Sequence, residues 1–281
     1  MSLNHEIVGV EGPPAERTWT SSDVLLYALG VGAGQADPYA ELEFTTENSI
    51  GVTTQVLPTF ANLISGGGGF GQLGDFDPAS LVHAEQAFTL HRPLPAAGTV
   101  RAVSRVAGMY DKGSAALVVT ESTAVDAASG EPLVTTRGSI FIRGEGGFGG
   151  DRGPTADWAM PAGAPDEQVT YPVPTDQALL YRLTGDRNPL HSDPKFAARG
   201  GFDRPILHGM CTYGYTGRAL LHAVCGSDPA RFTSMEGRFT RPVMPGDELT
   251  ISIWADGGTA YFRTTVGGQP VIDRGRLTYT S

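Results

Sequence analysis

One ten-residue segment places an acid, an amide and an imidazole close together. It reads GDRNPLHSDP over residues 185–194 and contains Asp186, Asn188 and His191. Proline lacks an amide hydrogen and restricts the residue before it, so Asn188–Pro189 predicts a turn rather than a continuous helix. An acid and an imidazole on one turn can both reach a single water molecule, which makes them a candidate general acid/base pair. A plain helix-ending turn fits the same residues, because such turns are common.

Two predicted helices would hold this turn in place. An apolar run at 178–183 leads into it, and a longer helix is predicted at Gly209–Cys225. The apolar residues of the longer helix spread around most of its circumference, which predicts a helix enclosed by sheet. Gly214 and Gly217 cost about 1 kcal/mol each in a helix relative to alanine. We therefore expect another backbone to approach this helix closely.

The remaining segments alternate apolar and polar residues and are rich in β-branched side chains, a pattern typical of strands. Turns such as Asp111-Lys112-Gly113 and Asp256-Gly257-Gly258 separate them. The predicted strands are 99–110, 115–126 and 133–143 in the first half, and 235–239, 248–255, 259–266 and 269–279 in the second. A helix followed by antiparallel strands, repeated, predicts an α+β fold.

The order of motifs indicates an internal duplication. Tyr27 and Tyr181 lie in similar apolar runs 154 positions apart, and Pro93 and Pro242 lie in similar segments 149 positions apart. A near-constant offset over two unlike motifs favours duplication of a domain of about 130 residues.

The two halves are expected to be unequal. The segment 56–64 of the first half corresponds to the long helix, but it is shorter and runs into Gly66–Gly69. At the offset of 154, Asp186 and His191 correspond to Gly32 and Asp37, so one pair per chain is expected. Six glycines among residues 144–153, followed by proline-rich sequence, predict a linker. The expected domains are 1–143, a linker at 144–174, and 175–281.

Composition excludes several classes of protein. The chain of 281 residues has a formal net charge of −10 and a sequence pI of about 5.0. That charge argues against broad nucleic-acid binding and against adhesion to an anionic membrane. Neither a transmembrane run nor a signal peptide is recognised, and the two cysteines, Cys211 and Cys225, fall within one predicted helix. These features predict a cytoplasmic protein.

Several motifs together resemble a known family. After GDRNPLHSDP comes PILHGMCTYG at 205–214. Further matching segments are YALGVGAG at 27–34, LPTF at 57–60, HAEQ at 83–86, DKG at 111–113 and RFTRP at 238–242. In this order they resemble the type 2 enoyl-CoA hydratases, also called MaoC-like or (R)-specific hydratases. The resemblance covers nearly the whole chain and is strongest to the two-domain bacterial and peroxisomal forms.

This resemblance implies a fold and an activity. The fold is a double hot-dog, an α+β architecture in which each half wraps an antiparallel sheet around a central helix. The C-terminal half supplies catalysis, and the degenerate N-terminal half accommodates the acyl chain. The implied reaction is the reversible hydration of trans-2-enoyl-CoA to (3R)-3-hydroxyacyl-CoA in fatty-acid metabolism. It needs no metal or other cofactor, since CoA is part of the substrate, and family habit favours a homodimer.

The resemblance also assigns roles to single residues. Asp186 and His191 would be the catalytic pair, and Asn188 would orient them. Gly209 would present a helix-start amide to the thioester oxygen, although a glycine at that place is also ordinary helix structure. The implied substrate-binding residues are His83, Ala84, Lys112 and Phe239. Ala84 stands where the family usually has glycine. Lys112 could instead be an ordinary solvated charge, and Phe239 could be an ordinary core residue.

Other chemistries are weaker alternatives. His191, Asp193 and His208 could form a metal site, but His-x-Asp is a weak signal. Cys211 could be a nucleophile, yet nothing in its motif activates it. Among functions, we keep a dehydratase acting on acyl carrier protein or polyketide intermediates, a hot-dog thioesterase, and a non-catalytic acyl-binding protein.

Overall fold

A computed structural model describes residues 3–66, 73–154 and 158–280. Ten strands form one antiparallel sheet in the order β1-β3-β4-β5-β2-β7-β10-β9-β8-β6. The strands are β1 (Ala15–Trp19), β2 (Leu81–Leu90), β3 (Gly98–Asp111), β4 (Ala115–Asp126), β5 (Pro132–Arg143), β6 (Glu167–Pro172), β7 (Phe232–Phe239), β8 (Glu248–Asp256), β9 (Thr259–Val266) and β10 (Gln269–Tyr279).

The strand order is symmetric about its centre. The first five strands form one half and the last five the other, and each half repeats the same neighbour relationships. The halves join where β2 pairs with β7, for example Gln86 with Gly237. This arrangement confirms the α+β fold with two like halves.

Helices and short turns connect many of the strands within the described residues. The helices are α1 (Ser21–Gly30), α2 (Leu42–Thr45), α3 (Ala61–Ile64), α4 (Gln177–Tyr181), α5 (Pro194–Arg199) and α6 (Gly209–Cys225), with short 3-10 turns at His5–Ile7, Pro58–Phe60, Pro78–Ser80, Arg182–Thr184, Pro189–His191 and Pro229–Arg231. None of the helices in the described ranges is long and apolar enough to cross a membrane.

The prediction of a linker over 144–174 is wrong for its last part. Residues 167–172 form β6, which pairs with β8 from Glu167 opposite Ile253 to Pro172 opposite Glu248. Val169 and Tyr171 pack against the core from this edge strand. The surrounding prolines favoured the prediction of a linker, and the strand is short, with side chains that are half-buried on one face and exposed on the other. Residues 155–157 of the same stretch lie outside the described residues.

The central helix of the second half is enclosed as the sequence predicts. Leu220, Leu221 and Ala219 of α6 are fully buried in the main core. The close approaches at its two glycines come from side chains, which corrects the expectation of a neighbouring backbone. A Cβ at Gly214 would overlap the side chain of Val31, and one at Gly217 would overlap Thr59. Both neighbours belong to the first half, so these glycines let the two halves pack together.

The first half carries only a remnant of such a helix. The Pro58–Phe60 turn and the four residues of α3 stand where the second half has the 17 residues of α6. The predicted shortening is therefore confirmed. Of the glycines that follow, Gly67, Gly68 and Gly69 lie outside the described residues. Among the residues that the structure describes, α3 is the only helix found at this place, and part of the inner sheet face of the first half has no described helix above it.

Candidate active site

Two consecutive side-chain turns build the segment that carries Asp186 and His191. The Asp186 side chain accepts the Asn188 N–H through Oδ1 at 3.1 Å. Asn188 Oδ1 in turn accepts the Leu190 N–H at 3.0 Å and caps the Pro189–His191 turn. Asp and Asn favour such turns because their short side chains reach the backbone two residues on. The structure therefore gives Asn188 a definite contact, as the cap of the turn that ends in His191.

His191 is held in one tautomer. Its ring is 8% exposed, and Nδ1 lies 2.9 Å from the carbonyl oxygen of Ile206. A carbonyl can only accept, so Nδ1 donates and Nε2 keeps a lone pair in the neutral ring. Burial lowers the pKa of His191 below its ordinary value, partly opposed by that hydrogen bond and by Asp186. The imidazole is thereby kept neutral and able to take up a proton at Nε2.

His208 connects the two members of the pair. Its ring stacks on that of His191 with centroids 3.7 Å apart, and its Nε2 donates to the main-chain carbonyl of Asp186 at 3.2 Å. Burial, reinforced by the neighbouring His191, lowers the pKa of His208 to about 4. The sequence offered His208 only as a metal ligand, and its contact with both catalytic candidates was missed.

Asp186, His191 and His208 also form a group of possible metal ligands. Their ligand atoms lie within 4.8 Å of one another. Asp193, which the sequence suggested as a ligand, instead caps α5 through the Lys195 N–H. The two rings stack at an interplanar angle of 28°, so their lone pairs lie in nearly parallel planes instead of converging on one point. This geometry suits a metal ion poorly, and metal-independent chemistry stays the prediction.

The start of α6 faces the same space. His208 is the N-cap and Gly209 is the first helical residue. The first amides of a helix have no partner within the helix and carry its positive dipole end. A Cβ at Gly209 would lie 3.3 Å from Cε1 of Phe239, so the glycine keeps this approach open.

The residues gather around a cavity of about 990 Å³. Asp186, Asn188, His191 and Gly209 all line it. Of the predicted substrate-binding residues, His83, Ala84 and Phe239 line it as well, and the rings of His83 and Phe239 are 4.8 Å apart. The structure therefore brings seven of the eight predicted site residues to one cavity.

Lys112 is the predicted residue that does not line this cavity. It lies in the β3–β4 turn, where its ammonium group contacts the main-chain carbonyl of Arg152. Arg241 is a cation that does line the cavity, two residues after the end of β7. The sequence contained this arginine within the RFTRP motif, but nothing there distinguished it from Arg238.

Ala84 occupies an irregular point of its strand. The pairing of β2 with β5 shifts between His83 and Glu85, which leaves Ala84 as the extra residue of a bulge. It is 4% exposed and is not among the residues with positive φ. The backbone at this place therefore accepts alanine without the conformational freedom of glycine.

A polar chain fixes His83 beside the cavity. Its Nε2 lies 3.1 Å from both the Glu85 carbonyl and Gln86 Oε1, so Nε2 donates. Gln86 Nε2 then donates to Asn62 Oδ1 at 2.8 Å. Gln86 lies in the HAEQ segment, yet its link to Asn62 joins α3 to β2 and could not be seen from sequence.

A second cavity of about 720 Å³ adjoins the first. Asp186, His83, Gln86 and Met210 line both. The second cavity extends over the inner face of the first half, between α3 and strand residues such as Ser104, Ser122 and Thr136. Together the cavities lead from the catalytic candidates into the N-terminal half.

Both halves of the chain match known families. Residues 18–144 match the family described as MFE-2 hydratase 2 N-terminal domain, and residues 158–273 match the MaoC like domain. The 3-hydroxyacyl-thioester dehydratase Y of Mycobacterium tuberculosis is 45% identical over an alignment of 294 positions that covers 100% of each chain. Enoyl-CoA hydratase ChsH3 of the same organism is 45% identical over 261 residues, 89% of this chain and 88% of that one.

Solved structures agree with these matches. A MaoC-like dehydratase from Phytophthora capsici gives a TM-score of 0.86 at 31% identity, over 99% of this chain and 98% of that one. A Mycobacterium tuberculosis protein described as having a double hotdog fold gives a TM-score of 0.56 at 16% identity, over 96% of each chain, and supports the fold alone. The predicted double hot-dog fold is confirmed, and the chain belongs to the MaoC-like, hydratase 2 family of dehydratases.

Proposed function

We propose that the protein is a hydro-lyase that reversibly hydrates trans-2-enoyl-CoA to (3R)-3-hydroxyacyl-CoA in fatty-acid metabolism. The observation that carries this proposal is the placement of the Asp186 carboxyl group beside the buried His191 ring, in a cavity that also receives the start of α6. The names of two relatives, an enoyl-CoA hydratase and a 3-hydroxyacyl-thioester dehydratase, agree with the two directions of one reaction.

The chemistry follows from the two side chains. A water molecule between Asp186 and His191 Nε2 would be polarised by the imidazole, and its oxygen would bond to C3 of the enoyl thioester. The proton that the water loses would reach C2 through Asp186. Hydroxide and proton add across one double bond, and the pair returns to its starting protonation state. Because both residues lie on one side of the cavity, addition would be syn.

Negative charge develops on the thioester oxygen during this addition. The Gly209 N–H at the start of α6 would donate to that oxygen. Donors of this kind are worth about 100-fold to 1000-fold in kcat. The glycine would let the thioester approach the backbone closely, beside the ring of Phe239.

The substrate would lie across both cavities. The pantetheine arm would occupy the larger cavity along His83, Ala84 and Phe239, and the acyl chain would enter the smaller cavity in the N-terminal half. Arg241 would offer charge to a CoA phosphate from within the cavity wall. Lys112 would reach a phosphate only from outside, after leaving its contact with Arg152.

One experiment separates the candidate functions. The protein is mixed with crotonyl-CoA and longer trans-2-enoyl-CoA thioesters, and the absorbance of the conjugated thioester is followed together with free thiol. We expect loss of conjugation without thiol release. Thiol release would support a thioesterase instead, and no change with any chain length would contradict an enzyme of this kind. The same assay with an enoyl thioester of acyl carrier protein tests the alternative carrier.

A homodimer and a cytoplasmic location belong to the same proposal. The homodimer is the assembly that the family resemblance implies, and the cytoplasmic location is the one that the sequence features predict. Light scattering of the purified chain would measure its mass in solution, and imaging of a tagged chain in its source cell would test the compartment. A monomeric mass or a different compartment would refute the corresponding part of the proposal without affecting the reaction.

A further inference from the structure

A row of hydroxyl side chains crosses the inner sheet face of the N-terminal half. Ser104 of β3 pairs with Ser122 of β4, and Ser122 pairs with Thr136 of β5. Thr120 lies two residues before Ser122 on β4 and therefore points to the same face. We call these four residues, Ser104, Thr120, Ser122 and Thr136, the hydroxyl band.

The inner face is apolar on both sides of the hydroxyl band. Toward α1 and α3 the same strands bury Ala102, Ala124 and Val134. Toward the other end they bury Val118 and Ile140, which belong to a second apolar cluster. Hydroxyls are thus confined to the middle of the face and are not a general feature of these strands.

The matching face of the second half is different. There Ile251, Phe262 and Leu277 are fully buried in the core around α6. One hydroxyl on that face, Thr264, is 0% exposed and hydrogen bonds with Thr216 of α6 at 2.8 Å. A helix covers the face in the second half, and its hydroxyl has a protein partner.

In the first half the hydroxyl band faces a cavity, and no helix of the described residues packs against it as α6 does in the second half. All four residues line the cavity of about 720 Å³ that adjoins Asp186. Ser122 Oγ contacts the main-chain carbonyls of Ser65 and Val103, and Thr120 Oγ1 lies 3.5 Å from the Gly138 carbonyl. Within the described part of the chain, these are the side-chain hydrogen bonds that the band makes.

These hydroxyls constrain what can fill the cavity. An unsubstituted alkyl chain would displace water from them and offer no hydrogen bond in return, which is unfavourable. A chain with an oxygen at that depth would replace the lost water. Serine and threonine hydroxyls both donate and accept, so they can bind either a hydroxyl or a keto oxygen.

We propose that the acyl group accepted by this protein carries a hydroxyl or keto oxygen that hydrogen bonds with the hydroxyl band. This inference rests on the proposed function, because it assumes that the acyl chain of a thioester enters the smaller cavity. Thr136 and Ser104 are then specificity-determining residues, since no main-chain carbonyl of the described residues occupies their hydroxyls.

Binding of unreactive thioesters tests the proposal without requiring turnover. Saturated ten-carbon acyl-CoA is compared by calorimetry with the same chain bearing one hydroxyl or keto oxygen at successive positions beyond C4. We expect at least one substituted chain to bind about threefold to tenfold more tightly than the plain chain. Equal or tighter binding of the plain chain than of every substituted chain would overturn the proposal.

Variants connect that preference to the band. Thr136→Val keeps the shape of the side chain and removes its hydroxyl. Ser104→Ala removes the hydroxyl two strands away, on the far side of Ser122. Each should reduce the preference for the substituted chain, and the double variant should abolish it. Thr123→Val, on the exposed outer face of β4, is the matched control and should leave the preference unchanged. A preference that survives the double variant would also overturn the proposal.

Two further readouts keep the outcomes distinct. Thermal unfolding of the three variants shows whether each is folded as stably as the control. Hydration of the plain and substituted enoyl thioesters is measured in parallel. If the oxygen strengthens binding but no thioester is hydrated, the proposed reaction is refuted and the role of the hydroxyl band is supported. If thioesters are hydrated but the oxygen does not strengthen binding, only the role of the hydroxyl band is refuted.

Discussion

The ring of His191 lies flat against the ring of His208, with their centroids 3.7 Å apart and their planes 28° from parallel. Both rings are buried, at 8% and 1% exposure. Two imidazolium ions could not share this position, because like charges repel strongly where water is excluded. The stack therefore favours two neutral rings, and this neutrality is what a base at His191 requires.

We expect the stability of the protein to decrease as pH falls below about 6.5, the ordinary pKa of histidine. Unfolded His208 takes up a proton there, whereas the folded ring does so only near its pKa of about 4. Acid thus favours the unfolded chain over this window. His208→Gln should lessen the slope of unfolding free energy against pH by up to about 1.4 kcal/mol per pH unit.

Urea unfolding at several pH values between 4.5 and 7.5 would measure this slope in both proteins. Carboxyl groups titrate in both, so their contribution cancels in the comparison. Equal slopes in the two proteins would show that folding does not lower the pKa of His208.

Asp186→Asn and His191→Ala should each reduce kcat by about 100-fold to 10,000-fold. Asparagine at 186 can still accept the Asn188 N–H, so the turn should persist while the acid is lost. Asp193→Asn is the matched control, because that acid caps α5 and an asparagine caps equally well. Steady-state hydration rates and melting temperatures would be compared. Substantial activity in either variant would refute its assigned role.

Asn188 should act through the turn that it caps. Asn188→Ala removes the acceptor of the Leu190 N–H and should cost about 1 kcal/mol of stability, with a lower kcat because His191 is less well held. Asn188→Ser supplies another capping oxygen and should recover most of the lost stability and most of the lost kcat. If serine restores stability but not kcat, Asn188 contacts the substrate instead of only positioning His191.

Gly209→Ala should impair catalysis by crowding the ring of Phe239. The added methyl would stand 3.3 Å from Cε1 of that ring, and overpacking of this kind is costly. We expect kcat/KM to fall by about tenfold. Adding Phe239→Leu opens space for the methyl group. The double variant should therefore lose less kcat/KM than the two single variants would lose in combination. Strictly additive losses would mean that the glycine has no steric role here.

Gly217→Ala should destabilise the protein although alanine is the better helix former. Helix propensity alone would give a gain of about 1 kcal/mol. The new methyl would instead overlap Thr59 of the first half, and we expect a net loss of about 1–3 kcal/mol. Thr59→Ser removes the methyl group it meets and should restore stability in the double variant. Chemical denaturation would measure all three, and a stabilised single variant would contradict the packing.

The sequence by itself determined much of this protein. Local signals predicted the turn at 185–194, the helix Gly209–Cys225 and the strands Ala115–Asp126, Thr259–Val266 and Gln269–Tyr279. The repeated motifs predicted the duplication. Periodicity, proline and glycine act over a few residues, so such features can be recognised along the chain. Strands β1, β2 and β6 were not predicted, because they are short, bulged or exposed on one face.

Only the tertiary structure decided how distant residues meet. It brought His208 into contact with both Asp186 and His191, joined Gln86 to Asn62, and kept Lys112 out of the cavity wall. It also turned hydroxyls on three strands, unremarkable in sequence, into one row above an open cavity. These relations depend on strand register and on how the two halves pack, and neither is encoded in the spacing of any single motif.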